Sequence, residues 1–238
     1  MDVGYIRLFW SRQLPKILLS VITAVPRDKT SRKSIVMKPP RKPRNVDRRN
    51  REHLYPLEID RMIETTLERS AKHANRNALL ILLTYRHGLR VSEATRLRWS
   101  QICLDSKTIR VERTNGGVSS TQPLSAGESE RLRDWKNARF GHGFFAVPYD
   151  PEALLFERSR GKPLSPRTIS HIVATAGITA GLGLPVHPHM LRHACGYFVA
   201  HHLADPVAVQ QYLGLKSIQN AMRYFRPKTV EFRNIWKE

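Results

Sequence analysis

The hydrophobic period of this chain changes from helical to alternating and back again. Apolar residues recur at helical spacing before about Leu97 and again after Ile169, whereas from Ile102 to Gln122 they follow period two. The two periods present different faces and cannot be exchanged, so helices must flank a short sheet. The expected class is α+β, mainly α, with a small antiparallel β-sheet. Leu57, Met62, Ile63, Thr66 and Leu67 mark a first helix, and a more apolar one runs from about Arg76 to His87, stopped by Gly88. Arg90 then enters a short helix carrying Glu93, Ala94 and Leu97. Ile102 and Leu104, then Ile109 and Val111, precede an Asn115-Gly116-Gly117 turn and Val118 to Gln122, the pattern of paired strands. Ser125 with Glu128 forms a capping box for a helix through about Arg139. Ser165-Pro166 precedes the helical spacing of Ile169, Ile172, Val173 and Ala176, and Asp205-Pro206 opens Val207 to Leu213, ended by Gly214. Ser217 caps a last, turn-rich helix expected to carry Tyr224.

Charge points to the partner. Forty Lys plus Arg against 20 Asp plus Glu give a formal charge of +20 over 238 residues. Nucleic acid is the default partner for such a balance, a basic membrane-surface or ribosome-associated role being the alternative. Eleven of the basic residues lie between Arg27 and Arg51, among Pro26, Pro39, Pro40 and Pro43 and few apolar residues. Residues 1–53 therefore read as a basic, disordered N-terminal arm and 54–238 as one globular domain. Within the arm Arg41, Lys42, Arg44, Arg48 and Arg49 are candidate phosphate contacts, the alternative being an ordinary solvated run. Cys103 and Cys195 stand far apart without a CxxC, as in a reduced intracellular compartment. The apolar run Ile17 to Val25 is too short to span a bilayer and leads into Asp28, Lys29, Arg32 and Lys33 instead of a cleavage site, so a cytoplasmic protein is expected. No GxxxxGK[ST] or GxGxxG motif is present, which leaves nucleotide hydrolysis without visible machinery.

Four residues carry candidate chemistry. His189 and Arg192, three apart on one helix, face the same way and can meet one phosphate. A guanidinium grips non-bridging oxygens with two hydrogen bonds, and Arg90, at a helix start, supplies a second such fork for a phosphorus gaining negative charge. The phenolic oxygen of Tyr224 is the candidate nucleophile, which would store the bond energy in a phosphotyrosine so that religation needs no ATP. Each has an ordinary alternative: Arg90 as a surface cation, His193 and Met190 as helix packing, Tyr224 as core. The histidines His187, His189, His193, His201 and His202 also admit a metal reading, but no HExxH or suitably spaced carboxylate supports it. His201 and His202 read as exposed helix-end residues.

The order Gly88-Leu-Arg90-Val-Ser-Glu93, His189-x-Leu-Arg192-His193, Tyr212-Leu-Gly214 and Tyr224 resembles the tyrosine recombinase (phage integrase) family. The run His187-Pro-His-Met-Leu-Arg-His-Ala-Cys-Gly196, with Arg113 to Gly117, Ser119 to Leu124 and Gly161 to Ser165, is similar to the fimbrial phase-variation (FimB/FimE-type) subgroup. The likeness covers Leu54 to Trp236. It implies a recombinase catalytic domain in which Arg90 and Arg192 clamp the phosphate, His189 handles protons, Tyr224 forms a 3′-phosphotyrosyl link and Glu93 supports the site. It also implies double-stranded DNA with inverted-repeat sites, a homotetramer on DNA, DNA-bending accessory proteins, no cofactor, no membrane, and a nucleoid-associated location. Arg113 joins the DNA-contact candidates. The tail with Phe232, Ile235 and Trp236 resembles a segment docked on a neighbouring protomer, packing on its own domain being the alternative. Two positions depart from the family. The hairpin lysine that protonates the leaving 5′-oxygen is missing around Gly116, and Leu215 replaces the histidine of Leu-Gly-His, with Lys216 beside it as a compensating candidate. A DNA-binding regulator descended from a recombinase is therefore the rival reading, and a type IB topoisomerase a third.

Overall fold

The computed structural model describes residues 51–69, 72–114, 116–141, 148–158 and 161–225. Eight helices longer than one turn of 3₁₀ and three strands are found among them. Helix α1 (Pro56–Glu68) and α2 (Ala74–Arg86) lead to the short α3 (Val91–Ala94) and a 3₁₀ turn at Trp99–Gln101. Strands β1 (Ile102–Cys103), β2 (Thr108–Val111) and β3 (Ser120–Pro123) follow, then α4 (Ala126–Phe140), α5 (Pro166–Thr179), α6 (Pro188–Leu203), α7 (Pro206–Leu213) and α8 (Ile218–Met222). The strands form one antiparallel sheet in the order β1-β2-β3, with Ile109 opposite Gln122 and Val111 opposite Ser120. The fold is α+β and mainly α, as the two periods require.

The apolar character of α2 explains the architecture. Ala78, Ile81 and Tyr85 enter one core with Ile59 and Met62 of α1, Val173 and Ala176 of α5, and Leu191, Ala194 and Cys195 of α6. Leu79, Leu80 and Leu83 enter a second core with Trp99, Ile109, Val111, Leu132, Phe156 and Ile169. A helix buried on two sides needs more than one apolar stripe, which α2 has. By contrast α1 is one-sided, with Ile59, Met62 and Ile63 buried. Leu57 is 82% exposed, so it belongs to the outer face and Ile59 takes the inward place the spacing gave it.

The caps are where the sequence places them. Ser125 Oγ accepts from the Glu128 N–H at 3.3 Å while Glu128 Oε2 accepts from the Ser125 N–H at 2.9 Å. Ser165 Oγ accepts from the Thr168 N–H, and the Asp205 carboxylate from the Val207 and Ala208 N–H groups. Gly88, at φ +56°, turns the chain out of α2 in a left-handed conformation that a β-carbon would strain. Two elements are shorter than expected. The first strand ends at Cys103, and the last helix ends at Met222, so Tyr224 lies in the turn beyond α8. The basic arm, the Ile17 to Val25 run and the tail residues Phe232, Ile235 and Trp236 lie outside the described residues. Among the described residues no helix is long and apolar enough to cross a membrane.

Candidate active site

The turn after α2, the end of β2, the middle of α6 and the end of α7 meet at one carboxylate. Glu93, on α3, accepts a hydrogen bond from Arg90 Nη1 at 2.7 Å and another from Arg113 Nη1 at 2.9 Å, and lies 3.9 Å from Arg192 Nη1. The Arg90 backbone N–H adds a bond at 2.8 Å. Burial alone would neutralise the carboxyl, but that N–H and the guanidinium groups of Arg113, Arg90 and Arg192 outweigh it and hold Glu93 below the ordinary carboxylate range. Three guanidinium groups against one carboxylate leave an excess of two positive charges. An excess of this sign attracts an anion, and a guanidinium fork matches the geometry of phosphate oxygens.

The three arginines are not equivalent. The Arg192 side chain is 3% exposed, and it donates to the Gly88 carbonyl and, at 2.7 Å, to that of Leu213. Burial and the neighbouring Arg90 and Arg113 pull its pKa down to about 10, which still leaves it charged at neutral pH. Arg90 is the open one, at 26% exposure, with Nη2 only 3.5 Å from the Gly214 carbonyl. Arg113, expected as a DNA contact, is instead enclosed at 0% side-chain exposure. Its two Nη atoms donate to Glu93 and to the carbonyls of Gly88, His87 and Tyr212, joining the turn after α2, α3 and the end of α7, and none of the side chain is at the surface where a DNA backbone would lie. Its expected role as a DNA contact is corrected to a structural one.

Tyr224 packs into the same region against α6. A β-carbon at Gly196 would stand 2.4 Å from Tyr224 Cε1, so the ring occupies the space that glycine leaves. The phenol is 6% exposed and its hydroxyl lies 3.2 Å from His193 Nδ1. Burial raises the Tyr224 pKa against the pull of Arg192 and Arg223, which keeps it a phenol. His193 is pushed down to about 3, chiefly by burial and then by His189, Arg223, Arg192 and His187, so its ring is neutral and free to accept at Nδ1. The exposed His189 ring meets it edge to face, with centroids 4.4 Å apart. His189, His193 and Tyr224 thus form a continuous row beside the arginines.

Of the two departures, Gly116 lies beside the neighbour of Leu215. A β-carbon at Gly116, in the hairpin, would stand 3.4 Å from Lys216 Cε and 3.7 Å from its Nζ. Leu215 is half-buried against the first core. Residues 41, 42, 44, 48 and 49 lie outside the described residues. His193 and Gly196 were not singled out from the sequence as site residues. The signal for Gly196 was a glycine inside a helical pattern, which costs about 1 kcal/mol against alanine and marks a close approach. For His193, nothing short of the fold reveals the phenol beside it.

This arrangement of arginines and a tyrosine on a mainly helical domain with a three-stranded sheet defines a known class. The Phage integrase family profile matches residues 52–230, and the chain belongs to that family. Within it the chain is 36% identical over 191 residues to the type 1 fimbriae regulatory protein FimB of Escherichia coli K12, covering 80% of this chain and 92% of FimB. The identity to the type 1 fimbriae regulatory protein FimE of the same strain is also 36%, over 162 residues, 68% of this chain and 80% of FimE. Among solved structures, the XerH site-specific recombinase bound to its difH substrate in a pre-cleavage complex superposes with TM-score 0.61 at 27% identity, over 74% of this chain. The chain spans 50% of the length of that XerH chain.

Proposed function

We propose that the protein is a site-specific DNA recombinase that cuts and rejoins DNA through a 3′-phosphotyrosyl intermediate. The observation that carries this reading is the gathering of Arg90 and Arg192 at Glu93 beside the row His189, His193, Tyr224. Arg90, the open one, binds the non-bridging oxygens of the scissile phosphate, where negative charge grows in the pentavalent state, and Arg192 joins it by exchanging its bonds to the Gly88 and Leu213 carbonyls for the phosphate. Tyr224 exchanges its His193 bond for the phosphorus and attacks it, His189 handling the proton. The 5′-hydroxyl released on one strand then attacks the phosphotyrosine of another, and no external energy source enters. The reading extends to inverted-repeat sites, a tetramer on two sites, accessory DNA-bending proteins and inversion of a promoter segment, the expectations that the family resemblance of the sequence motifs carries.

A nicked suicide substrate tests this reading. The wild-type protein should accumulate a covalent DNA adduct that Tyr224→Phe abolishes, and an adduct surviving that change would sink the assignment. A second reading, a DNA-binding regulator that no longer cuts, is favoured by Leu215, which has no hydrogen to donate to a phosphate, and by the burial of Tyr224. It requires site-specific footprinting without any adduct or recombinant product from the wild-type protein.

A further inference from the structure

Strand cleavage expels a 5′-alkoxide, a strongly basic leaving group that needs a proton as the bond breaks. The hairpin from Arg113 to Gln122 contains no lysine, and the one guanidinium it carries, that of Arg113, is enclosed with both Nη atoms bonded to Glu93 and three carbonyls. The turn between α7 and α8 supplies a different donor. Lys216 reaches across to the hairpin so that its Cε and Nζ lie 3.4 and 3.7 Å from where a Gly116 β-carbon would stand. Its side chain therefore lies at van der Waals distance from that hairpin position. Lys216 is exposed, and no hydrogen bond or ion pair among the described residues holds its ammonium. Lys107, by contrast, sits in the turn before β2, at the end of that strand away from the hairpin.

The turn that carries Lys216 is anchored to the arginine cluster. Leu213, two residues before Leu215, gives its carbonyl to Arg192, and the carbonyl of Gly214 lies 3.5 Å from Arg90 Nη2. The Leu215 N–H donates to the Gln210 carbonyl at 2.9 Å, which fixes the backbone one residue before the lysine. A phosphate held by Arg90 and Arg192 is therefore flanked by the hairpin and this turn.

Resting on the recombinase reading, we propose that Lys216 is the general acid of strand cleavage, supplied from the α7–α8 turn to the hairpin position that Gly116 leaves bare. As the Tyr224 oxygen bonds to phosphorus, the bond from phosphorus to the 5′-oxygen breaks with its electron pair. The Lys216 ammonium gives one proton to that oxygen and becomes a neutral amine, leaving a 5′-hydroxyl. The phenol proton passes to the imidazole pair His189 and His193. Religation runs the same transfers backwards. An ammonium can act in this way, whereas a guanidinium holds its proton too tightly.

The test compares two nicked suicide substrates, one with the natural bridging 5′-oxygen and one with sulfur there, because a thiolate leaves without protonation. Lys216→Met should cut the oxygen substrate about 10²- to 10⁴-fold more slowly than wild type and the sulfur substrate at close to the wild-type rate. Lys216→Arg, which keeps the charge, should be as slow as Lys216→Met on oxygen. Equal deficits on both substrates, an unchanged rate on oxygen, or full activity of Lys216→Arg would overturn the proposal. Failure of the wild type to form an adduct with either substrate would instead remove the recombinase reading, so the two failures are distinguishable. Unchanged urea midpoints for both variants, expected of an exposed residue, exclude misfolding as the cause of a loss.

Discussion

Gly196 determines where the nucleophile rests. With a β-carbon there, Cε1, Cζ and Cδ1 of Tyr224 would all lie within 2.4 to 2.7 Å, and the ring is rigid and buried. Gly196→Ala should therefore displace Tyr224 from its slot, at a cost of about 1–3 kcal/mol in stability as for other overpacked cores. Adduct formation should change by at least about tenfold, as expected when a reacting group is misplaced by an ångström. Thermal melts and the suicide substrate measure the two effects separately. The residue beside the phenol sets a pH limit. His193 has a pKa of about 3 in the folded chain against an ordinary 6.5. Between those values the unfolded chain binds a proton that the folded chain refuses, so this contribution to stability is complete above pH 6.5 and is lost as pH falls towards 3. Urea unfolding should show stability falling by up to about 1.4 kcal/mol per pH unit below pH 6.5, with the slope reduced in His193→Gln.

At the scale of elements, the buried charges act as fasteners. Glu93 ties α3 to Arg113 beyond β2 and faces Arg192 of α6, while Arg113 and Arg192 share the Gly88 carbonyl. Glu93→Gln would leave Arg113 and Arg192 buried without their counter-charge, a loss of roughly 3–5 kcal/mol of stability. The melting temperature should drop by on the order of 10 °C, and an unchanged melt would show that the cluster holds nothing together. The helix and strand order was legible because local signals dictate it: Ser125 with Glu128, Ser165-Pro166, Asp205-Pro206 and Gly88 each act within a few residues. The arginine pair and Tyr224 were legible as a set through the family's spacing. What stayed hidden depends on contacts between distant segments. Arg113 was expected at the DNA because sequence does not show that β2 delivers it onto Glu93, twenty residues earlier in the chain. The approach of Lys216 to Gly116 spans 100 residues and leaves no local pattern.

At the scale of the whole molecule, the +20 formal charge governs how a DNA partner is held. Much of that charge lies in the segment with Arg41, Lys42, Arg44, Arg48 and Arg49, earlier in the sequence than the arginines at Glu93. Contacts to backbone phosphates release condensed counterions, so the logarithm of the binding constant falls linearly with the logarithm of salt, by about 0.9 per phosphate neutralised. If these five side chains each meet a phosphate, replacing all of them by alanine should reduce the slope by about 4 to 5 and weaken specific and random DNA by similar factors. Replacing Arg90, Arg192 and Tyr224 by alanine, glutamine and phenylalanine should instead remove cleavage while leaving most of the salt slope in place. Fluorescence anisotropy across a range of salt concentrations measures both slopes. An unchanged slope in the five-residue variant would mean that the run is only solvated and that the binding charge resides in the globular part of the chain.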